Sequence, residues 1–394
     1  MLYNELDNIM KRTFIFLIIF FPKFLLSQQT LAEEFESKIL EETRTIRVHI
    51  PKSFSNKTEN YPLILTLDGE YMFYNLIGNS ELLLAIEKIP ESIIVGIDQN
   101  YYDSTKVWAR ANDCNYNSKS AELQGKGIKF KEFIEKELVP YLIDKYKVGD
   151  YKVIAGHSFT ASYPNFFLFD NSVFNSYILL SPYLPESISQ KIIDKLSNNN
   201  KFLSYYISTS EYDLSEHLKT IKKIDSTLTK IVFNPKTEYT FNNFKGETHY
   251  SLINRSFPIA LKAIFKDYQI ITDKEIEAEK DLLVYLKNKY TKIKKHYGIN
   301  LSIREDDLDA IYWLAEERED WNSLKEIGEF SVNIYPEYSD GYFMLSAVEE
   351  QNKNYEKALN LYQKGYEKLT DDVLNKKDFY RHIERLKKII ENEK

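Results

Sequence analysis

The feature that most constrains the fold is an alternation of strand-like and helix-like segments between about residues 43 and 270. Short apolar runs rich in β-branched residues, YPLILTL at 61–67 and SIIVGI at 92–97, are typical of strands that are buried on both faces. Between the strands, GIKFKEFIEKELVPYLIDKY at 127–146 has apolar residues at helical spacing. Strands that alternate with helices predict an α/β domain with a mostly parallel central sheet.

The same criteria predict six more strands, a count that suits one large α/β domain. They are TRTIRVHI at 43–50, YKVIAG at 151–156, SYILLSP at 176–182, FLSYYIST at 202–209, TKIVFNP at 229–235 and YTFNNF at 239–244. The segment after YKVIAG contains Tyr163 and Phe167 at helical spacing and predicts a helix.

After about residue 270 the strand signals stop. Residues 273–298, DKEIEAEKDLLVYLKNKYTKIKKHYG, predict one long charged amphipathic helix. Beyond it, residues 320–336 align with 354–370 at a shift of 34, the period of tetratricopeptide repeats with two helices each. An ordinary helical bundle is the alternative. The sequence therefore predicts an α/β domain over 28–272 and an all-α, tetratricopeptide-like region over 273–394.

Helical repeats bury their apolar faces only by stacking on neighbouring helices. About two repeats are visible, at 305–370, and we expect them to pack on the preceding helix or on the α/β domain. Trp313, Leu314 and Phe343 are the predicted members of the buried face.

The N-terminal segment predicts a signal peptide over residues 1–27, with Met10 as a candidate true start. Lys11 and Arg12 precede an apolar stretch at 14–21, and Ser27 lies near a plausible cleavage site. The stretch is shorter than the roughly 20 apolar residues of a membrane-spanning helix. We therefore expect export to the periplasm or the exterior, with an uncleaved anchor as the alternative.

Composition disfavours several classes of function. The chain of 394 residues has a net charge of -7 and no long basic block, which argues against a nucleic-acid partner. It has a single cysteine, and its six histidines lack the close spacing of metal ligands. The sequence therefore predicts neither a metal site nor a cofactor.

The stretch YKVIAGHSFTASYPNFF predicts a sharp strand-to-helix corner with Ser158 at its tip. Such a corner projects the hydroxyl from the fold, and the following helix N-terminus offers N–H groups to an oxyanion. Gly156 would let the backbone pass the corner, whereas Thr160 stands where a small residue is usual. The alternative is an ordinary serine at a helix start.

A serine nucleophile needs a base and an acid, which in this class of fold follow it in the order acid, then histidine. Asp213 and Glu211 lie in the polar loop after the strand at 202–209. Asp213 is preferred because SEYD takes the place of a Gly-x-x-Asp loop, and Glu211 stays open. His249 lies in a loop before an apolar helix.

Four segments, in order along residues 43–270, resemble the putative esterase family of α/β-hydrolases, which includes esterase D, siderophore esterases, feruloyl esterases and mycolyltransferases. They are LILTLDGEYMF, IIVGIDQNYYDSTKVWARAND, VIAGHSF and GETHYSLINRSFPIALKAIF. The resemblance implies a nucleophile at Ser158, a base at His249 and an acid at Asp213 or Glu211. It also implies that the chain is an enzyme that acts on ester bonds.

The resemblance further implies an oxyanion hole formed by the backbone N–H groups of Phe159 and Glu70. The family commonly has Gly-Gly where this chain has Thr160 and Ala161, a departure at the oxyanion hole. The residue beside the nucleophile, His157, is interpreted as structural.

Four residues near these loops are predicted to bind substrate. Gly69 follows a buried strand, at the edge where open α/β sheets bind ligands. Trp108, Arg110 and Asp113 lie in a polar loop at the same edge, and the resemblance matches Arg110 and Asp113 to an Arg and an Asp that family members often carry. An Arg110–Asp113 ion pair that orders the loop is the alternative for those two residues.

Together these features predict an exported serine esterase acting on a small-molecule or polysaccharide-linked ester. One alternative is acyl transfer by the same residues. The other is a non-catalytic hydrolase fold that serves as a platform, with helical repeats that bind a protein partner.

Overall fold

The computed structural model describes residues 29–54, 60–104, 106–170, 173–369 and 376–393, which form two compact units. The first unit contains the described residues up to 86 together with 90–264, and the second contains 87–89 and 265–393. The predicted signal peptide, residues 1–27, lies outside the described residues. Among the described residues, no helix has the length and apolar character needed to cross a membrane.

The first unit contains one eight-stranded sheet and a two-stranded ribbon. The strands are β1 (Gln29–Ser37), β2 (Glu42–Ile50), β3 (Tyr61–Thr66), β4 (Ile93–Ile97), the ribbon pair β5 (Tyr116–Asn117) and β6 (Glu122–Leu123), β7 (Val148–His157), β8 (Ser176–Leu180), β9 (Leu203–Tyr212) and β10 (Thr237–Thr248). The sheet order is β1-β2-β4-β3-β7-β8-β9-β10. Only β1 with β2 and β2 with β4 pair antiparallel, and the other neighbours are parallel.

Helices cover both faces of this sheet. They are α1 (Gly69–Ala85), α2 (Ala109–Asp113), α3 (Lys126–Phe133), which continues through a π-turn (Ile134–Leu138) into α4 (Val139–Tyr146), α5 (Asn165–Phe169), α6 (Glu186–Ser197), α7 (Ser215–Leu228) and α8 (Leu252–Ile264). Helices α1 and α8 contact each other and the sheet. Helices α3, α4, α6 and α7 contribute to a continuous apolar core with alternate residues of the strands, such as Leu63 and Leu65. The predicted α/β fold with a mostly parallel sheet is confirmed.

Two details of the strand prediction were wrong. Residues 229–235 form no strand: α7 ends at Leu228, Val232 is 98% exposed, and the chain turns into β10. Three apolar residues before Pro235 are too few to form a strand of their own. Conversely, β1 was not predicted, because acidic residues interrupt its apolar pattern. It pairs along its whole length with β2 at the edge of the sheet.

The second unit is all-helical, as predicted. Its helices are α9 (Asp273–Ile276), α10 (Leu282–Tyr297), α11 (Glu305–Glu317), α12 (Trp321–Ile334), α13 (Ser339–Gln351), α14 (Tyr355–Lys368) and α15 (Lys376–Asn392). The single helix predicted over 273–298 is wrong, because the chain breaks between Ile276 and Leu282. There the Asp281 carboxylate accepts a hydrogen bond from the Val284 N–H and starts a new helix.

The helical pairs follow the spacing of the sequence repeat. Helices α11 and α13 begin 34 residues apart, at Glu305 and Ser339, and α12 and α14 do the same at Trp321 and Tyr355. The assignment of these pairs to the tetratricopeptide class stays a prediction.

The core of the second unit extends upstream of the repeats. Ile276, Leu282 and Leu286 are buried in one cluster with residues of α11 and α12 that include Leu308 and Ile311. The repeats therefore depend on α9 and α10 to cover an apolar face.

We expect a fragment covering 300–394 to melt at a lower temperature than a fragment covering 265–394. The shorter fragment lacks four buried side chains of this cluster, those of Ile271, Ile276, Leu282 and Leu286, each of which contributes about 1.5–3 kcal/mol through burial. Without them it exposes Leu308 and Ile311. Thermal melts of both fragments, followed by circular dichroism at 222 nm, give the comparison. Equal midpoints would show that the repeats are stable without α9 and α10.

Candidate active site

The candidate site lies at the carboxyl edge of the parallel strands. Asp68 follows β3, Ser158 follows β7, Ser181 follows β8, Asp213 follows β9 and His249 follows β10. Parallel strands bring their carboxyl ends to one edge of a sheet, where open α/β sheets bind ligands. Five side chains that are distant in sequence are thereby brought to one edge.

Ser158 has a strained backbone. Its φ is +62°, in the left-handed region that residues other than glycine rarely adopt. A Cβ at Gly156 would lie 2.7 Å from the carbonyl oxygen of Thr160, so only glycine fits this close passage. The corner predicted from the sequence is present, and a short 3₁₀ helix (Ser158–Ser162) follows it. Strain of this kind is typical of functional sites.

Three of the predicted catalytic residues form a hydrogen-bonded chain. His249 Nε2 lies 2.8 Å from Ser158 Oγ, and His249 Nδ1 lies 2.6 Å from Asp213 Oδ1. The Asp213 side chain is fully buried, and that of His249 is 10% exposed. This arrangement can move a proton from the serine hydroxyl to the imidazole while the carboxylate holds the ring.

Asp213 is held by several donors besides His249. Its carboxylate accepts hydrogen bonds from Thr209 Oγ1 at 2.7 Å, Ser181 Oγ at 2.8 Å and the Leu214 N–H at 2.8 Å. Burial alone would raise the pKa of Asp213, but these hydrogen bonds and the one from His249 outweigh it and lower the pKa to about 2. The carboxylate therefore stays ionised at neutral pH and keeps the Nδ1–H of His249 directed toward it.

The alternative acid, Glu211, does not reach His249. It is exposed, and its carboxylate accepts a hydrogen bond from the Gly246 N–H at 2.8 Å. Side chains alternate along a strand, and β9 extends to Tyr212, so Glu211 belongs to the end of this strand while Asp213 follows it. The assignment of Glu211 as the acid is therefore wrong for this geometry.

The turn after β3 holds the second predicted oxyanion donor. Asp68 has a φ of +54° and precedes α1, so the N–H of Glu70 is one of the first helical N–H groups, which have no acceptor within the helix. The Glu70 carboxylate accepts hydrogen bonds from the N–H and Nδ2 of Asn100, which fix the turn. The N–H of Phe159 has the same kind of position in the first turn of the 3₁₀ helix. The oxyanion role of both groups stays a prediction.

Gly69 is required for the close packing of this turn, and its predicted part in substrate binding stays a prediction. Gly69 is buried, and a Cβ there would lie 2.7 Å from Asp98 Oδ1 and 2.9 Å from the carbonyl carbon of Gly96. Gly69 therefore allows the start of α1 to pack closely on β4, and it offers no side chain to a substrate.

The buried carboxylate of Asp68 joins the two loops that carry the predicted N–H donors. It accepts hydrogen bonds from Thr160 Oγ1 at 2.7 Å and Arg110 Nη2 at 2.9 Å, and the Tyr71 hydroxyl lies 3.0 Å away. Arg110 Nη2 also donates to the carbonyl of His157 at 3.2 Å. Burial raises the pKa of Asp68, whereas Arg110, Thr160 and Tyr71 act in the opposite direction. Thr160, the departure from the family pattern, supplies one of these links.

The predicted substrate contact at Asp113 is wrong, and so is the alternative Arg110–Asp113 ion pair. Arg110 pairs with Asp68, and its side chain is only 11% exposed. Asp113 is fully buried and accepts two hydrogen bonds from the equally buried Arg44, at 2.8 and 2.6 Å, and a third from Gln99 at 3.0 Å. A carboxylate that is satisfied in this way holds α2 against β2 and is not accessible to a substrate.

Trp108 is exposed, as a residue that binds substrate must be, and His157 is buried, as a structural residue usually is. The substrate-binding role of Trp108 stays a prediction. Trp108 precedes α2 and is 46% exposed, so it remains available for a ligand. His157 is buried between the Tyr71 hydroxyl, 3.0 Å from Nδ1, and the carbonyl of His249, which accepts from Nε2 at 2.8 Å. Burial lowers the pKa of His157 to about 3, so the ring is neutral and serves to fix the loop of His249.

Sequence reasoning missed two residues, Ser181 and His217, that lie against the side chains of His249 and Asp213. Ser181, with a φ of +50°, lies 3.0 Å from His249 Nδ1 and donates to Asp213. His217 Nδ1 donates to the carbonyl of Ser181 at 2.8 Å, and its ring centre lies 5.5 Å from that of His249. Burial lowers the pKa of His217. The position of Ser181 at the end of a predicted strand was the available signal, whereas His217 on α7 had none.

Within the part of the chain that the structure describes, no group of three or more His, Cys, Asp or Glu side chains is arranged to hold a metal ion.

Comparisons with known proteins found a matching family and one curated relative. Residues 37–225 match the family described as putative esterase. The uncharacterized protein YjcH of Bacillus subtilis (strain 168) is 29% identical over 250 residues, which are 58% of this chain and 95% of that protein.

Two solved structures share the fold. An uncharacterised protein from Capnocytophaga ochracea DSM 7271 superposes with a TM-score of 0.75 at 23% identity and covers 91% of this chain and 99% of its own. An IroE-like serine hydrolase from Shewanella oneidensis superposes with a TM-score of 0.56 at 20% identity over 74% of this chain and 95% of its own.

We expect Thr160→Val to lower the free energy of unfolding by about 1–3 kcal/mol, because it leaves the buried Asp68 carboxylate and the His157 N–H without the hydroxyl that now joins them. Thr160→Ser keeps the hydroxyl and loses only a methyl group, which costs about 0.8 kcal/mol. Urea unfolding of the three proteins measures the difference. If valine were no more destabilising than serine, the hydroxyl would not be the link between the loops.

Proposed function

Because the chain belongs, through residues 37–225, to the putative esterase family, we propose that it is an exported serine esterase that cleaves carboxylic esters through an acyl-enzyme on Ser158. The observation that carries the proposal is the chain of hydrogen bonds from Ser158 Oγ to His249, at 2.8 Å, and from His249 to Asp213, at 2.6 Å.

In the first half of the reaction, His249 Nε2 takes the proton of the Ser158 hydroxyl as Oγ attacks the carbonyl carbon of the ester. The tetrahedral intermediate carries its negative charge on the former carbonyl oxygen, and the N–H groups of Phe159 and Glu70 stabilise it. The intermediate collapses as His249 returns the proton to the leaving alcohol, so Ser158 remains acylated.

In the second half, a water molecule gives a proton to His249 and attacks the acyl group. The second tetrahedral intermediate releases the carboxylic acid, and the proton on His249 restores the Ser158 hydroxyl. Asp213 stabilises the imidazolium that forms in both halves and keeps its Nδ1–H in place. The low pKa of Asp213, about 2, supports this role because the carboxylate is ionised at neutral pH.

Exposed aromatic side chains beside the triad support an ester that carries an apolar or aromatic group. Phe159, next to the nucleophile, is 42% exposed, and Tyr250, next to His249, is 68% exposed. The ring centres of Tyr250 and His249 are 5.2 Å apart. Exposed rings at this position can cover the apolar part of a small-molecule ester or of an acyl group on a polysaccharide.

Two alternatives use the same fold. A non-catalytic platform is disfavoured because it would have no use for the strained backbone at Ser158 or for the buried, multiply hydrogen-bonded Asp213. Acyl transfer differs from hydrolysis only in the acceptor, a hydroxyl group instead of water, and uses the same residues.

Labelling with a fluorophosphonate tests the nucleophile directly. We expect the label on Ser158, and Ser158→Ala to abolish labelling and lower ester turnover by about four to six orders of magnitude, the usual effect of removing one member of a triad. Ser226→Ala, an exposed serine on α7, is the matched control and should behave like the wild type. Turnover of Ser158→Ala within tenfold of the wild type would contradict the assignment.

Mass spectrometry of the peptides of the labelled protein, purified from its own host, also locates its N-terminus. Export is proposed because residues 10–27 have the charged and apolar pattern of a signal peptide. A mature chain that begins near residue 28 would support it. An intact segment in a protein that stays with the cytoplasmic fraction would contradict export without affecting the catalytic proposal.

Two isosteric variants separate the candidate acids. We expect Asp213→Asn to lower kcat by about 10⁴, because an asparagine cannot hold the required tautomer of His249. Glu211→Gln should leave kcat within a few-fold of the wild type, because the exposed Glu211 carboxylate accepts its hydrogen bond from the N–H of Gly246 and not from His249. Steady-state kinetics on an activated ester give both values. A larger loss at Glu211 would reverse the assignment of the acid.

A further inference from the structure

A cavity of about 310 Å³ opens among the helices of the second unit, well away in sequence from the triad. Side chains of α11, α13, α14 and α15 line it. The six that matter here are Tyr312, Trp313, Glu316, Asp340, Phe343 and Tyr362. The volume is in the range of sites that hold a small organic molecule or one large side chain.

Aromatic rings form much of the cavity wall. The ring centres of Tyr312 and Trp313 are 4.8 Å apart, and those of Phe343 and Tyr362 are 5.2 Å apart in an edge-to-face arrangement. Trp313, predicted from the sequence to be buried, is 61% exposed. The faces of such rings attract cations.

Two carboxylates of the wall have no cationic partner among the described residues. Glu316 accepts a hydrogen bond from the Tyr312 hydroxyl at 3.2 Å, and Asp340 accepts one from Ser339 Oγ at 3.2 Å. Neither forms an ion pair within the described part of the chain.

The basic side chains of the same wall already have acidic partners. The guanidinium of Arg381 pairs with Asp378 at 2.9 Å, and His382 Nδ1 lies 3.3 Å from the carboxylate of Glu350. Among the acidic side chains of the wall, those of Glu316 and Asp340 are therefore the two without an ion-pair partner in the described part of the chain.

The electrostatics of Asp340 indicate that its negative charge is unfavourable without a compensating cation. Burial raises the pKa of Asp340, and the nearby carboxylate of Glu305 raises it further. Asp307, a fully buried carboxylate of the same unit, is compensated by Arg304 Nε at 3.1 Å and by the Ile271 N–H at 2.6 Å. Asp340 lacks an equivalent cation, and a bound one would supply it.

We propose that this cavity binds an organic cation, with an ammonium or guanidinium head between the carboxylates of Glu316 and Asp340 and against the rings of Tyr312 and Trp313. Rings alone would accept any apolar group, and carboxylates alone would favour a hydrated metal ion. The combination selects a cationic head on a carbon framework, as cation–π recognition does in aromatic cages. This binding does not depend on the esterase activity.

Isothermal titration calorimetry of the full chain at low ionic strength tests the proposal. The probes are choline, n-butylammonium and n-butylguanidinium, and the neutral control is 3,3-dimethylbutan-1-ol, which has the shape of choline without its charge. We expect at least one cation to bind with a Kd at or below about 1 mM, and the neutral alcohol to bind at least about tenfold more weakly. Failure of all three cations to bind, or equal affinity for the alcohol, would overturn the proposal.

Isosteric variants locate the binding. Asp340→Asn and Glu316→Gln should each weaken binding by about tenfold, and Trp313→Leu should weaken it by a similar factor. Glu326→Gln removes the same charge from an exposed position on α12 outside the cavity and should have no effect. Circular dichroism melts check that each variant is folded. An equal loss of affinity in Glu326→Gln would mean that the probes respond only to net charge, and the proposal would fail.

Two further measurements complete the test. One identifies the source of the cation, and the other checks that the cavity binds it independently of the candidate active site. A blocked Gly-Lys-Gly peptide that binds more tightly than n-butylammonium would identify a basic side chain of a protein as the occupant, whereas weaker binding would identify a free small molecule. Ser158→Ala should bind every probe like the wild type. A loss of binding in Ser158→Ala would place the probes in the candidate active site and overturn the assignment of the cavity.

Discussion

The buried carboxylate of Asp68 is the interaction on which the geometry of the candidate site depends. It lies at the end of β3 and accepts hydrogen bonds from Thr160, in the first turn after the nucleophile, and from Arg110, which also holds the carbonyl of His157. The two loops that carry the predicted oxyanion donors are thereby joined through one group that cannot move without leaving charged and polar atoms unsatisfied in the interior. Electrostatic stabilisation of a transition state requires donors that are already in place, and this network supplies that fixity.

Most of the parallel sheet could be predicted from the sequence because each buried strand has a local pattern, a short β-branched run between helical segments. Predictions failed where local pattern and tertiary context diverge. The acidic residues of β1 hide a strand that forms by pairing with β2, and residues 229–235 contain only three consecutive apolar residues before Pro235, too few to form a strand. The break before Leu282 depends on one capping aspartate, Asp281, inside a pattern that otherwise continues.

In the candidate site, too, some residues could be predicted from local sequence and others could not. Chain order and strand ends indicated Ser158 and His249 and left Asp213 and Glu211 as candidate acids, because each lies at the end of a strand that the sequence reveals. The partner of Asp113 could not be found, because Arg44 lies 69 positions away on another strand and nothing local joins the two. Thr160 was noted only as a departure from the family pattern. Its value depends on Asp68, 92 positions earlier, which only the folded chain brings within 2.7 Å.

Buried carboxylates in this chain therefore indicate where to look for function. The carboxylates of Asp113 and Asp307 accept hydrogen bonds from an arginine and from amide groups, which fits a structural role. The carboxylate of Asp213 instead accepts from the imidazole of His249, which in turn contacts Ser158. A carboxylate that a fold leaves half-buried without a cation lowers stability, and substitution by a neutral residue would relieve that cost. At Asp340 the cost is accompanied by an exposed indole and a cavity of suitable size. The three features have a common physical explanation if the compensating charge comes from outside the chain.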